Sequence, residues 1–266
     1  MRKMTMMLML SVVVLLVAAS AQAALVADFA MEEGTGSTSA DSVSGNDPLV
    51  FGGDTPPAWS TDTRGSGSSY SLLFPGDSAG SWAWTGTGSG TPSTYVSSTS
   101  AFSVDVWFKT DDITDNATYP LLAALKTANH SFQIVLSVVS SYQGISIGSA
   151  DSHFKQIRTI DIADPEATLA DGQWHNIIVT FDGVDATATS SFDIILDGTS
   201  RTLGNGGTFA AVSNNGTIVG GTGNAALSFN GLIDDLKVYD TVIPEPATMS
   251  LLGIGGLLAL VRRRRK

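Results

Sequence analysis

At 266 residues and 43% hydrophobic, the chain is long enough to bury a full single-domain core, and its formal net charge of −11 argues against binding nucleic acid or an anionic lipid surface. It contains no cysteine, which excludes disulfides, a thiol nucleophile, iron–sulfur clusters and thiolate zinc sites; an exported form must rely on its apolar core or on metal ions. Half of the 14 basic residues (Arg2, Lys3 and Arg262 to Lys266) lie at the two ends, so the span between them is more acidic still.

The N-terminus is expected to be a processing signal. Arg2 and Lys3 precede an apolar run from Met6 to Ala19, followed by Ala21-Gln22-Ala23, an A-x-A cleavage pattern. The run is shorter than the roughly 20 residues that span a bilayer, so residues 1–23 read as a signal peptide and Ala24 as the first mature residue.

Leu25 to Phe29 is the first expected strand, and residues 30–46 read as a loop. Residues 61–99 are rich in Gly, Ser and Thr, with a strand at Tyr70 to Phe74 and with Trp82 and Trp84 at strand spacing, hence on one face. The cleanest alternation is Phe102 to Lys109, with Phe102, Val104, Val106 and Phe108 on one side and Ser103, Asp105, Trp107 and Lys109 on the other. Further strands are expected at 121–125, 132–138, 144–148 and 154–162, and Asp164-Pro165-Glu166 breaks the pattern.

Asp171 to Gly183 (DGQWHNIIVTFDG) places a β-branched run between two Asp-Gly turns, and Phe192 to Leu196 repeats the run before a third at Asp197-Gly198. Asp-Gly readily takes the positive φ of a tight hairpin, so this region reads as an antiparallel meander. Late strands are expected at 217–220 and 229–239. Outside the termini no segment has a helical period, and about twelve short strands with regular turn signals mean a sandwich.

The segments resemble, in order, those of laminin-G-like, concanavalin A-like jelly-roll domains. Glu33-Gly34-Thr35-Gly36 and Asp41 to Asn46 are similar to the entry loop, Phe102 to Lys109 to an F-T-x-x-x-W-x-K strand, Trp174-His175 to a W-H strand, and Phe229 to Tyr239 to the closing F-x-G-x-I-D element. The resemblance covers residues 25–240 and implies an all-β, antiparallel, two-sheet jelly-roll sandwich over residues 24–241, with hydrophobic helices only in the terminal signals. It also implies one structural Ca2+, for which the matching positions are Asp41, Asn46 and Asp234, with Asp77 a weaker addition because Pro75 stands where the family has an acid. Hard oxygen donors from several loops suit that ion.

From Val242 the texture changes. Pro244-Glu245-Pro246 precedes an apolar run from Ala247 to Val261 and then Arg262, Arg263, Arg264, Arg265 and Lys266. As a helix the run reaches about 22 Å, short of the roughly 30 Å hydrocarbon core, and the basic cluster would hold its end on the cytoplasmic side. Residues 242–266 resemble the PEP-CTERM sorting signal of Gram-negative bacteria. The resemblance implies an exported protein, held in the membrane at least transiently through this segment, handled by an exosortase and delivered to the cell surface or extracellular matrix.

Glucanases share the concanavalin A-like fold, but glycoside hydrolysis needs two facing carboxylates, about 5.5 Å apart for retention. The four glutamates, Glu32, Glu33, Glu166 and Glu245, do not form the E-x-D-x-x-E of laminarinase-like enzymes, and no G-x-S-x-G elbow accompanies His175, which reads as a packed or hydrogen-bonded histidine. His130 and His153 lack zinc spacing. Sugars stack on exposed aromatics beside polar groups, and Trp59, Trp82, Trp84 and Tyr142 sit in polar surroundings; Trp107 and Trp174 read as packing residues. The expectation is a non-catalytic recognition module for extracellular polysaccharide, the alternative a structural or adhesive matrix protein contacting other proteins, with a glycoside hydrolase of unrecognised type a third reading.

Overall fold

The computed structural model describes residues 23–43, 47–65, 67–76, 80–85, 101–113, 121–126, 131–137, 144–149, 157–158, 162–183, 192–203, 216–221 and 228–243. Strands β1 (Leu25–Phe29), β2 (Thr38–Ser39), β3 (Leu49–Gly53), β4 (Ala58–Ser60), β5 (Ser71–Pro75), β6 (Ser81–Trp84) and β7 (Phe102–Lys109) make up the first half. The second half holds β8 (Leu121–Lys126), β9 (Ser131–Ser137), β10 (Gly144–Ser149), β11 (Ile157–Arg158), one helix α1 (Pro165–Leu169), β12 (Trp174–Phe181), β13 (Phe192–Leu196), β14 (Thr199–Arg201), β15 (Thr217–Val219) and β16 (Asn230–Tyr239).

The strands form two antiparallel sheets. One runs β14-β13-β12-β7-β16-β5-β4, with β1 also on β16; the other runs β11-β10-β9-β8-β15-β6-β3-β2. This is the expected two-sheet sandwich. Alternation decides which side is buried: Phe102, Val104, Val106 and Phe108 on β7 and Ile177, Val179 and Phe181 on β12 all lie in the core. Phe132 from β9 crosses from the opposite sheet to meet Phe102 edge-on at 5.1 Å, and Phe181 stacks on Phe192 at 4.9 Å. The first contact joins the two sheets and the second lies between neighbouring strands of one sheet; both are offset geometries that ring quadrupoles favour.

The third Asp-Gly makes the hairpin its chemistry demands. Asp197 and Gly198 have φ of 51° and 73° between β13 and β14, the two positive values of a type I′ turn. Asp164-Pro165-Glu166 differs from expectation: it starts α1 rather than merely breaking a strand. Asp164 Oδ1 accepts the Ala167 N–H at 3.1 Å as an N-cap, and Pro165 takes the first helical position, where its missing N–H costs nothing.

Strand β16 organises the first sheet. Its Asn230–Ile233 half pairs with β5, and Leu236–Tyr239 pairs with β1, so two strands share one edge end to end. At the changeover the register against β7 slips between Asp234 and Lys237, and Asp235 adopts a positive φ of 54°. That bulge leaves two adjacent carboxylates at the point where neither β1 nor β5 continues the ladder.

Candidate functional site

The outer face of the second sheet carries an aromatic pair. Phe51, Ala83 and Val219 point into the core, so the alternating residues of β3, β6 and β15 lie on the other face, where Ile218 of β15 is itself buried. On β6 these are Trp82 and Trp84, both half-buried, with ring centroids 6.2 Å apart and planes at 72°. Cross-strand register sets Trp82 opposite Gly52, and Trp84 between Val50 on β3 and Ile218 on β15. A Cβ on Gly52 would fall 2.1 Å from Cη2 of Trp82, so the indole occupies the space this glycine leaves free. Gly216 similarly admits Trp84, its Cβ position lying 3.0 Å from Nε1. Thr85, the residue after β6, is tied to β15 by two hydrogen bonds: its Oγ1 accepts the Thr217 N–H at 2.8 Å, and its own N–H donates to the Thr217 carbonyl at 3.0 Å. The pair therefore stands on a well-anchored strand. The sequence places both indoles on one face but gives no sign of Gly52 beneath one of them, apart from the Gly-Gly that ends β3.

Trp59 has a different setting. Its ring lies 5.3 Å from Phe51 and 6.5 Å edge-on from Tyr70, and its Nε1–H donates to the Gly36 carbonyl at 2.9 Å. It packs against the core and clasps the entry loop. Tyr142 lies outside the described residues; among the described candidates the structure brings together Trp82 and Trp84.

The outer face of the first sheet is covered by residues 61–65 and 67–70. Asp62 accepts hydrogen bonds from Lys109 Nζ at 2.7 Å and Trp174 Nε1 at 3.1 Å, while Arg64 lies over the Trp107 ring at 5.6 Å. Trp107 and Trp174 thus pack as expected, but beneath this loop rather than in the core. Lys109 holds the Asp62 carboxyl below the usual carboxylate range, against some burial.

The same loop closes over the β16 bulge. Asp234 is fully buried and accepts a hydrogen bond from Ser68 Oγ at 2.7 Å, while Arg64 Nη2 pairs with Asp235 at 2.7 Å. Lys237 also pairs with Asp235 and lies 3.9 Å from Asp28. Burial pushes the Asp234 carboxyl up to about 6, despite the help of Ser68 and Arg64, and burial likewise raises Asp105 on β7.

Of the calcium candidates, Asp41 Oδ1 accepts the N–H groups of Asp28 at 2.9 Å and Val43 at 2.8 Å, and Asp234 faces Ser68 and Arg64. Asn46 and Asp77 lie outside the described residues. Among the described residues no group of three or more His, Asp or Glu could hold a metal ion. The acids around β16 face Arg64 and Lys237.

His175 faces the core side of β12, its ring 5.5 Å from Phe108, with Nδ1 2.8 Å from Asp197 Oδ2 and Nε2 3.1 Å from Asp171 Oδ1. Each ring nitrogen meets a turn carboxylate, and the histidine links two turns. Pro244, Glu245, Pro246 and Arg262 to Arg265, with both apolar terminal runs, lie outside the described residues, and no helix among the described residues is long and apolar enough to cross a membrane.

Two family matches cover the chain from residue 85 onward: the concanavalin A-like lectin/glucanases superfamily (Laminin_G_3) over residues 85–246, and the PEP-CTERM protein-sorting motif over residues 242–266. No curated protein matches. Among solved structures the chain is similar to domain 4 of AbnA, a GH43 extracellular arabinanase from Geobacillus stearothermophilus, in complex with arabinotriose. Identity is 20% and the TM-score 0.59, over 87% of this chain and all of that one. It is also similar to the binding domain of Paraclostridial Mosquitocidal Protein 1, at 14% identity and TM-score 0.55, and to that of botulinum neurotoxin DC in complex with rat synaptotagmin II, at 9% and 0.56. Each toxin match covers 86% of this chain and 51% of the other, so the chain spans about half of those binding domains.

Proposed function

Since the chain belongs to the concanavalin A-like lectin/glucanase superfamily, we propose that it is a non-catalytic glycan-recognition module, exported and sorted to the envelope of a Gram-negative bacterium through its PEP-CTERM tail. The observation that carries this reading is the Trp82–Trp84 pair, two half-buried indoles on the outer face of a sheet and braced by Gly52 and Gly216. Indoles so placed offer a sugar ring apolar surface without first having to be ordered. The arabinotriose bound to the arabinanase domain is in keeping with it, and the toxin domains are named as binding domains, one of them in complex with rat synaptotagmin II.

The carboxylates argue for binding rather than hydrolysis. Among the described residues, the carboxylates that burial shifts upward, Asp105 and Asp234, lie on β7 and β16, in the sheet opposite the indole pair. A general acid must reach the glycosidic oxygen of the bound sugar, and neither belongs to the sheet that carries Trp82 and Trp84.

A glycan array probed with the full chain in detergent tests the reading. Hits that disappear in both Trp82→Ala and Trp84→Ala support it. A blank array, with capture of matrix proteins retained by the variants, would leave the adhesive alternative in its place. Release of reducing sugar from any ligand would make the protein an enzyme.

A further inference from the structure

Resting on that reading, we infer that the Trp82–Trp84 corner takes a single chain of a neutral, non-crystalline polysaccharide, rather than a crystalline polymer face or a polyanionic glycan. The first ground is the angle between the rings. A crystalline polysaccharide presents its sugars in one plane, and aromatic residues that grip it must lie parallel to that plane. Here the planes cross at 72° with centroids 6.2 Å apart, so when one indole lies flat on such a face the other stands nearly upright against it. A separate chain meets no such conflict. A pyranose with its apolar face on one indole turns its edge to the other, and the chain can bend around the corner.

The second ground is charge. Leu49–Gly53, Ser81–Trp84 and Thr217–Val219, the three strands that form this part of the face, carry no ionisable side chain. A uronate or sulfate held here would have no cation from these strands to replace its lost hydration, and the chain's net charge of −11 opposes its approach. Neutral hydroxyls carry neither penalty.

The third ground is rigidity. Trp82 fills the space over Gly52, with Cη2 2.1 Å from where a Cβ would be, and Trp84 lies close to Gly216. The corner is therefore set by backbone contacts, and a ligand cannot readily flatten it into a planar platform.

The test uses the full chain in detergent with five probes: soluble mixed-linkage β-glucan and arabinan as neutral chains, polygalacturonate and alginate as polyanions, and microcrystalline cellulose as a flat face. Affinity electrophoresis serves the soluble polymers and depletion the solid. The expected result is retardation by at least one neutral chain, no binding to the other three, and a loss of about tenfold or more in Trp82→Ala and in Trp84→Ala. Trp82→Phe keeps part of the retardation, and unchanged melting of each variant confirms that it is folded. Tryptophan-dependent binding to cellulose, polygalacturonate or alginate, with neither neutral chain retarded, would overturn the inference while leaving glycan recognition standing. Binding to none of the five, or binding indifferent to both alanine variants, would remove both.

Discussion

The Nδ1 of His175 lies 2.8 Å from Oδ2 of Asp197, and its Nε2 lies 3.1 Å from Oδ1 of Asp171. Two Asp-Gly turns, one before β12 and one after β13, are thus held by one imidazole that is only 8% exposed and packed on Phe108. The Asp197 carboxylate also accepts the Asn176 N–H at 2.8 Å, which fixes the turn to the strand beside it. His175→Ala removes a buried ring and two polar contacts, so a loss on the order of 2–4 kcal/mol is expected by urea denaturation. His175→Gln, which keeps hydrogen-bonding capacity, should recover part of it. Equal losses in the two variants would show that the ring's packing, and not its bonds to the turns, sets the cost.

Asp171 adds a pH dependence. Burial raises its carboxyl, but the Gln173 N–H and the His175 ring outweigh this and leave it below 3.8. A carboxyl lowered in the folded state stabilises above its unfolded value, and that contribution is lost as pH falls through the folded one. Denaturation midpoints of the wild type should therefore fall below pH 4 more steeply than those of Asp171→Asn.

Asp234 has the opposite sign. Burial raises its carboxyl to about 6 from 3.8, so the folded protein keeps this proton at pH values where the unfolded chain has released it. Stability is then greatest at or below pH 4 and falls as pH rises to 6, by on the order of 3 kcal/mol for this group. Asp234→Asn keeps an acceptor for Ser68 Oγ and removes the charge, so relative to the wild type it should gain stability between pH 4 and pH 7 in a urea series. A difference that stays flat with pH would mean that Arg64, whose Nε lies 3.9 Å away, offsets the desolvation.

Much of this architecture is legible in local chemistry. The alternation from Phe102 to Phe108 marks the core face of β7, and Asp197-Gly198 marks the β13–β14 hairpin, because each signal lies within a few residues. Strand β3 escapes the same reading because Gly52 and Gly53 dilute its apolar pattern, and β4 is only three residues long, behind Pro56 and Pro57. Helix α1 is missed because a Pro after an Asp serves equally as a breaker and as a helix start. Trp59 looks exposed among Ser, Thr and Pro until β4 pairs with β5 and brings it against Tyr70, a contact no local pattern encodes. The corner is half legible: spacing puts Trp82 and Trp84 on one face, but their angle and the glycine beneath depend on a strand 30 positions away.

The entry loop gives a stability contrast. Gly34 has φ of 66°, and a Cβ there would meet the Tyr70 ring at 2.4 Å; Gly36 has φ of 83° with nothing within 4 Å of its Cβ position. Gly36→Ala should cost the backbone strain alone, ~1–2 kcal/mol. Gly34→Ala adds the displacement of Tyr70, and with it the Trp59 clasp, so its melting temperature should fall further. If the two variants melt alike, Tyr70 moves aside freely and does not hold the loop.

Gly52→Ala separates the shape of the corner from the presence of its rings. The added methyl would fall 2.1–2.6 Å from three atoms of the Trp82 six-membered ring, a distance that real contacts do not tolerate, so the indole must turn away. Both tryptophans remain, but their 72° relation does not. The two indoles at 6.2 Å are close enough for coupled transitions, so the wild type should show an exciton couplet in far-ultraviolet circular dichroism that Trp82→Ala abolishes and Gly52→Ala reduces. Retardation by the neutral polysaccharide should weaken in parallel with the couplet, whereas the denaturation midpoint should move by no more than the ~1–3 kcal/mol typical of an overpacked site. A couplet lost with binding intact would mean that either indole suffices, and that the corner is not what the ligand reads.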